Sequence, residues 1–311
     1  MREQAFKLDV VYSVNYRDRA FYIGCAVWAY KDWVGDFYPA KSRPGDFLKL
    51  YSQRMTAVEG NTTFYSVPDN ATVKRWAQES IPGFQFCLKL PRSVTHGGQL
   101  MPHWPEALRF LVKMQPLGDR LGPFFAQLPP SYGPNQFSDL QAFLDHWPKE
   151  QGAIAVEVRH PDWFKPPHAE RLNDLLRDRG VGRVLLDTRP IYDCVDDGAE
   201  DPQIASERRK PRLPLQPVVT APFTLVRYIG HPSMAVNQPY FDQWVPRIAQ
   251  WLKQGTQVYS FFHCPDESRS PAIARHFQND LAAVVGEADL PPLPWAEIKL
   301  PLQPSQLTLF E

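Results

Sequence analysis

Residues 153–160 read AIAVEVRH, residues 167–180 read PHAERLNDLLRDRG, and residues 182–188 read GRVLLDT. The two outer stretches are short apolar runs of strand length. The middle one is a longer amphipathic segment that closes on a glycine, the usual stop for a helix. A strand, a helix and a second strand with connections this short describe parallel strands joined by a crossover.

The same alternation extends through the chain. FYIGCAVW (21–28), AVEGNTTF (57–64), FQFCLKL (84–90) and LGPFFAQL (121–128) read as strands before this unit. FTLVRYIG (223–230) and QVYSFFHC (257–264) follow it. Helix-like segments lie between and after, among them DNATVKRWAQES (69–80), opening on Asp69 as an N-cap, and SPAIARHFQNDLAAVVG (270–286). Eight such strands fit a TIM-type (β/α)8 barrel or an open doubly wound sheet. The length suits the barrel, and no GxGxxG follows the first strand. The expected organisation is a single α/β domain over 21–286, with an N-terminal extension at 1–20 and a proline-rich tail at 287–311. A long polar loop over 190–222 replaces the helix between strands six and seven.

Among the 311 residues, 34 basic and 34 acidic side chains cancel, so no strongly basic field is available to hold bulk nucleic acid. The first twenty residues lack the apolar core of a signal peptide, and no apolar run is long enough to cross a bilayer. Four cysteines without CxxC spacing suit a reduced, cytoplasmic setting.

Side chains two apart on a strand share a face. Glu59, Asn61, Thr63 and Tyr65 are therefore grouped, as are Glu157 and Arg159, with His160 just beyond. Lys89, Gln127, Asp187 and Arg227 stand near the ends of strands three, four, six and seven. Barrel enzymes place their sites at this end. The cations Lys89, Arg159 and Arg227 would repel a divalent ion, so neither metal nor cofactor is expected; beside His96, His160, His231 and His263 they suit a phosphate or carboxylate. In this reading Glu59 or Glu157 accepts a proton and His96 or His160 acts as acid or orienting group. Asn61, Tyr65, Lys89, Gln127, Arg159, Asp187 and Arg227 line the ligand. The competing reading is a structural network in which the carboxylates neutralise the cations. The aromatic run from Trp28 to Tyr38, including Trp33, either stacks on bases or sugars or closes one end of the fold. The basic run Arg208, Arg209, Lys210 and Arg212 reads as a phosphate contact or a solvated loop.

GCAVWAYKDWVGDFYP, VEGNTTFYSVP, FCLKLPRSVTH, QLPPSY, EVRHPDWF and VRYIG, in this order, resemble the YecE-like family, domain of unknown function 72. The resemblance runs over about residues 21–265. It implies a TIM-type barrel and a pocket lined by Glu59, Asn61, Tyr65, Lys89, His96, Glu157, Arg159, His160 and Arg227. It supplies no reaction. Nucleic acid enters as a ligand only through analogy with endonuclease IV-type barrels, which makes nuclease-like or other phosphoester hydrolysis the reaction class to test. The chain departs from the family pattern at Ile229 and over 264–266.

The last residues, QLTLFE (306–311), resemble the Gln-Leu-x-Leu-Phe peptide by which bacterial proteins dock on the DNA polymerase sliding clamp. Leu307, Leu309 and Phe310 suit apolar pockets, and Gln306 offers amide hydrogen bonds. The expected protein is thus a barrel that binds or processes a phosphate-bearing ligand, nucleic acid included, and is brought to DNA by the clamp. The alternatives are a non-catalytic adaptor on the clamp and a carbohydrate-active barrel using the aromatic run with Glu59 and Glu157.

Overall fold

The computed structural model describes residues 19–193 and 210–287, together with Leu290 and Leu293. Among the described residues eight strands appear where the apolar runs place them: β1 (Phe21–Cys25), β2 (Ala57–Gly60), β3 (Gln85–Leu88), β4 (Phe124–Gln127), β5 (Ile154–Glu157), β6 (Gly182–Asp187), β7 (Phe223–Ile229) and β8 (Gln257–His263). All their pairings are parallel. Six strands form one sheet in the order β1-β8-β7-β6-β5-β4, and β2 pairs with β3 in a second. The direct pairing of the first strand with the last excludes the open doubly wound order.

Side-chain and loop groups bridge the seams between the two sheets. At β1 and β2, Ile23 N donates to Thr56 Oγ1 at 2.7 Å and Thr56 N donates to Ile23 O at 3.1 Å. The Tyr51 hydroxyl accepts from Cys25 N at 2.6 Å and donates to Ala57 O at 3.2 Å. A Cβ on Gly24 would stand 1.9 Å from Ala57 O, so glycine allows this approach. At β3 and β4, Gly122 N reaches Phe86 O and Leu90 N reaches Phe125 O, each at 3.0 Å.

Helices cover the strands. α1 (Phe47–Ser52) precedes β2, α2 (Asn70–Glu79) follows it, α3 (Trp104–Met114) follows β3, and α4 (Phe137–His146) follows β4. α5 (His168–Asp178), α6 (Met234–Lys253) and α7 (Ser270–Val285) follow β5, β7 and β8. Asp69 caps α2 by accepting from Thr72 N at 2.7 Å. Beyond α5 the chain turns through Gly180 at φ +60°, a conformation glycine adopts without strain.

The apolar residues form two main layers. One lies between strands and helices. The other is built from Tyr22, Ala57, Cys87, Phe125, Ala155, Val184, Phe223, Leu225, Tyr259 and Phe261, which together draw on every strand. Because the strands are buried on both faces, their sequences read as near-continuous apolar runs. In the aromatic run, Trp33, Phe37 and Tyr38 are buried, and Trp33 Nε1 donates to Glu267 O at 2.8 Å. These rings close the fold rather than offering a stacking face. Beyond β6, Arg189–Tyr192 forms one helical turn. Of the stretch expected to be a polar loop, residues 194–209, including Arg208 and Arg209, lie outside the described residues. The clamp-like peptide, Gln306, Leu307, Leu309 and Phe310, lies outside them as well. No described helix is long and apolar enough to cross a membrane.

Candidate functional site

Parallel strands all deliver their C-terminal ends to one edge, and there the polar residues of β2, β4, β5 and β7 converge. Arg227 is 3% exposed and spends all three guanidinium nitrogens on carboxylates. Its Nε and Nη2 each donate to Glu59 at 2.7 Å, and Nη1 donates to Glu157 Oε2 at 2.5 Å. Glu59, 0% exposed, also accepts from Asn61 Nδ2 at 2.6 Å and lies 3.1 Å from His263 Nε2. Glu157 takes a further bond from Arg159 Nε at 2.7 Å.

Burial alone would raise both carboxyls. The attraction of Arg227 and His263 outweighs it at Glu59, holding that group well below the usual carboxylate range. Arg227, Arg159 and Lys89 do the same at Glu157, which is held at about 2. A proton acceptor needs a free lone pair and an affinity near the working pH. Each Glu59 oxygen faces two donors, and the proton affinity of both carboxyls is held low, which disfavours the general-base role expected of Glu59 or Glu157. All three Arg227 nitrogens already donate to carboxylates, so its charge is engaged within the cluster.

Lys89, just past β3 and 7% exposed, differs. Among the described residues no carboxylate forms a salt bridge with it. Its Nζ donates to Gln127 Oε1 at 2.8 Å and stands 3.8 Å from the centre of the Phe64 ring. Arg159 Nη2 donates to the same Gln127 oxygen at 2.7 Å. Two cationic side chains thus meet on one neutral acceptor. Burial, then repulsion from Arg227, lowers the Lys89 amine to about 7 against the pull of Glu157 and Glu59. His96 also packs on Phe64, with ring centres 5.0 Å apart, and its Nδ1 lies 2.9 Å from Thr95 Oγ1. Burial, then Lys89, Arg92 and Arg159, lowers this imidazole to about 4, so it is neutral at physiological pH.

The remaining expected residues stand apart. β2 ends at Gly60, and residues Thr62–Tyr65 turn into a helix, so strand alternation does not carry Tyr65 into the cluster. Tyr65 is 79% exposed at the rim. Asp187 leaves the sheet on the helix side, taking bonds from Arg189 Nε and Nη2 at 2.9 and 2.8 Å and from Trp244 Nε1 of α6 at 2.7 Å. His160 accepts from Asp162 N at 3.2 Å and so caps the turn after β5. His231 Nδ1 accepts from Ser233 N at 3.0 Å in the loop before α6. Arg212 pairs with Asp193 at 2.9 Å. Among the described residues no group of three His, Cys, Asp or Glu side chains is placed to hold a metal ion. Sequence reasoning overlooked Phe64, which seats both Lys89 and His96. Its only signal was an apolar residue between the matched Asn61 and Tyr65.

Residues 22–297 match the family described as protein of unknown function DUF72. The chain belongs to this family. It is 36% identical over 293 residues to the UPF0759 protein YecE of Escherichia coli strain K12, covering 93% of this chain and 99% of that one. YunF of Bacillus subtilis is 28% identical over 179 residues, 55% of this chain and 61% of YunF. Among solved structures, a DUF72 family protein from Thermotoga maritima is similar at a TM-score of 0.61 and 20% identity, covering 85% of this chain and 99% of that one. One from Enterococcus faecalis is similar at 0.61 and 16% identity, covering 85% and 95%. The two solved structures share the fold.

Proposed function

We propose that this DUF72 protein binds a phosphate-bearing ligand at the C-terminal edge of its strands, with Arg159 and Lys89 as the anion contacts. The observation that carries this reading is their convergence on Gln127 Oε1, at 2.7 and 2.8 Å, while Arg227 occupies the neighbouring carboxylates. Two cations on one neutral oxygen retain an electrostatic demand that an anion satisfies. Glu59, Arg227 and Glu157 form the frame that aims Arg159, and Asn61 and His96 border the ligand. The eight strands act as a closed TIM-type barrel, a reading supported by the β1–β8 pairing and by the apolar cluster drawn from all eight strands.

Nucleic acid is the macromolecular ligand of choice because QLTLF at 306–310 has the letters of a sliding-clamp peptide. Clamp docking would supply the local concentration that a chain of zero net charge does not. A cytoplasmic setting accords with the free, buried Cys25, Cys87 and Cys264.

Calorimetric titration with inorganic phosphate, a nucleoside monophosphate and a short single-stranded oligonucleotide tests the pocket. Arg159→Met should weaken binding by about tenfold or more, equivalent to about 1.4 kcal/mol. Equal affinity in a folded variant removes the pocket. Deleting 306–311 should abolish binding to the clamp in a pull-down with purified clamp, and retained binding removes that partner.

A further inference from the structure

We infer that Lys89 is a nucleophilic amine, and that the ligand it serves is a phosphate-bearing aldehyde or ketone captured as an imine. The inference rests on the phosphate reading and names the substrate class of the same site. Lysine becomes a nucleophile when burial or a neighbouring cation strips its proton and when no carboxylate holds the ammonium form in place. Lys89 meets these conditions. It is buried, and its hydrogen-bond partner is the neutral Gln127 side chain. Arg227 and Arg159 have taken Glu157, and Arg227 has taken Glu59. Its Nζ is fixed in place against the Phe64 ring, whose π face by itself favours the ammonium form, so burial and the neighbouring arginines carry the depression. Arg159, bonded to the same Gln127 oxygen, stands one side chain away to receive the phosphate, and holds it without Lys89 while that side chain is the free amine.

The step balances without any further reactant. The free amine adds its lone pair to the carbonyl carbon, forming the C–N bond, and the carbonyl π pair moves to oxygen. The proton lost from nitrogen goes to that oxygen, giving a carbinolamine. A second proton from solvent releases the oxygen as water and leaves the iminium. Two sources share this chemistry: a small sugar phosphate, and the ring-opened aldehyde of an abasic deoxyribose flanked by phosphates in DNA.

Borohydride adds hydride to an iminium carbon and makes the adduct permanent, so the full chain can be trapped and its peptides mapped by mass. With pyridoxal phosphate as probe at pH 7, Lys89 should be labelled about tenfold or more faster than exposed lysines such as Lys41, because an ordinary lysine near pKa 10.4 is almost entirely protonated there. Labelling of Lys89 no faster than Lys41 overturns the inference. Gln127→Glu keeps the lysine but sets a carboxylate against it, and should slow labelling by about tenfold by restoring the ammonium form. Undiminished labelling in that variant also counts against the inference.

Parallel trapping with glyceraldehyde 3-phosphate and with an abasic oligonucleotide identifies the source. An adduct on Lys89 with either supports the inference, and none with both overturns it. The two readings fail separately. If Lys89 reacts equally fast with pyridoxal and with pyridoxal phosphate, the amine is nucleophilic and the phosphate contact is lost. If inorganic phosphate binds and Lys89 stays unlabelled, the phosphate reading stands and the imine does not.

Discussion

The ends of β6 and β7 look alike in sequence, each bringing one charged residue to the same edge, yet they serve different layers. Arg227 of β7 turns toward Glu59 and Glu157, between the strands. Asp187 of β6 turns toward Arg189 and Trp244, between sheet and helix. The register explains the divergence. Arg227 is paired with Leu186, and Asp187 with Tyr228, so the two charges sit on opposite faces of adjacent strands. The partner of Arg227 on β6 is therefore a leucine, which joins Ile191 and Ile229 in a small apolar cluster. A charged residue near a strand end marks a site only after its face is known.

The comparison breaks most visibly at Arg227. Arg227→Met strands two buried carboxylates and should cost about 3–5 kcal/mol in denaturant unfolding. Adding Glu59→Gln and Glu157→Gln should recover part of that loss. An unchanged midpoint in the single variant means that these ion pairs do not hold the strand ends.

Next in size is a pH effect at Lys89. Its folded-state proton affinity is lowered to about 7, while the unfolded chain keeps the proton to about pH 10.4. Across that window the unfolded state binds more protons, so the contribution of Lys89 to stability rises with pH and its penalty is full below pH 7. Lys89→Met removes the penalty. The variant should exceed the parent in stability at neutral pH, and the gap should close as pH approaches 10. A gap that does not vary with pH would mean the amine is not depressed.

The smallest effect belongs to Asp187. Arg189 is partly exposed and can turn to water, so Asp187→Asn should cost about 1–2 kcal/mol. Its phosphate affinity should match the parent's in the same calorimetric titration. A folded variant with lost phosphate affinity would bring Asp187 back into the site and erase the contrast.

Much of the strand-end cluster was legible in the sequence. Glu59, Lys89, Gln127, Glu157 and Arg227 follow from their place near strand ends, and Arg159 from its spacing after Glu157. Roles were harder to read. Whether Glu59 accepts a proton depends on how many donors surround it, and those come from Asn61, Arg227 and His263, separated by up to 204 residues. The unusual position of Lys89 depends on which cations reached the carboxylates first in space, a matter of distance rather than order. Phe64 passed unnoticed because an apolar residue among apolar residues carries no distinguishing pattern.

Composition and periodicity by themselves determined the strand and helix elements, since apolar runs and amphipathic segments dictate local structure through burial alone. They also determined which charged side chains arrive at the strand ends. Only the tertiary structure decided which face each charge takes. Parallel strands buried on both sides leave no polar alternation to reveal it, and packing against a particular neighbour makes the choice.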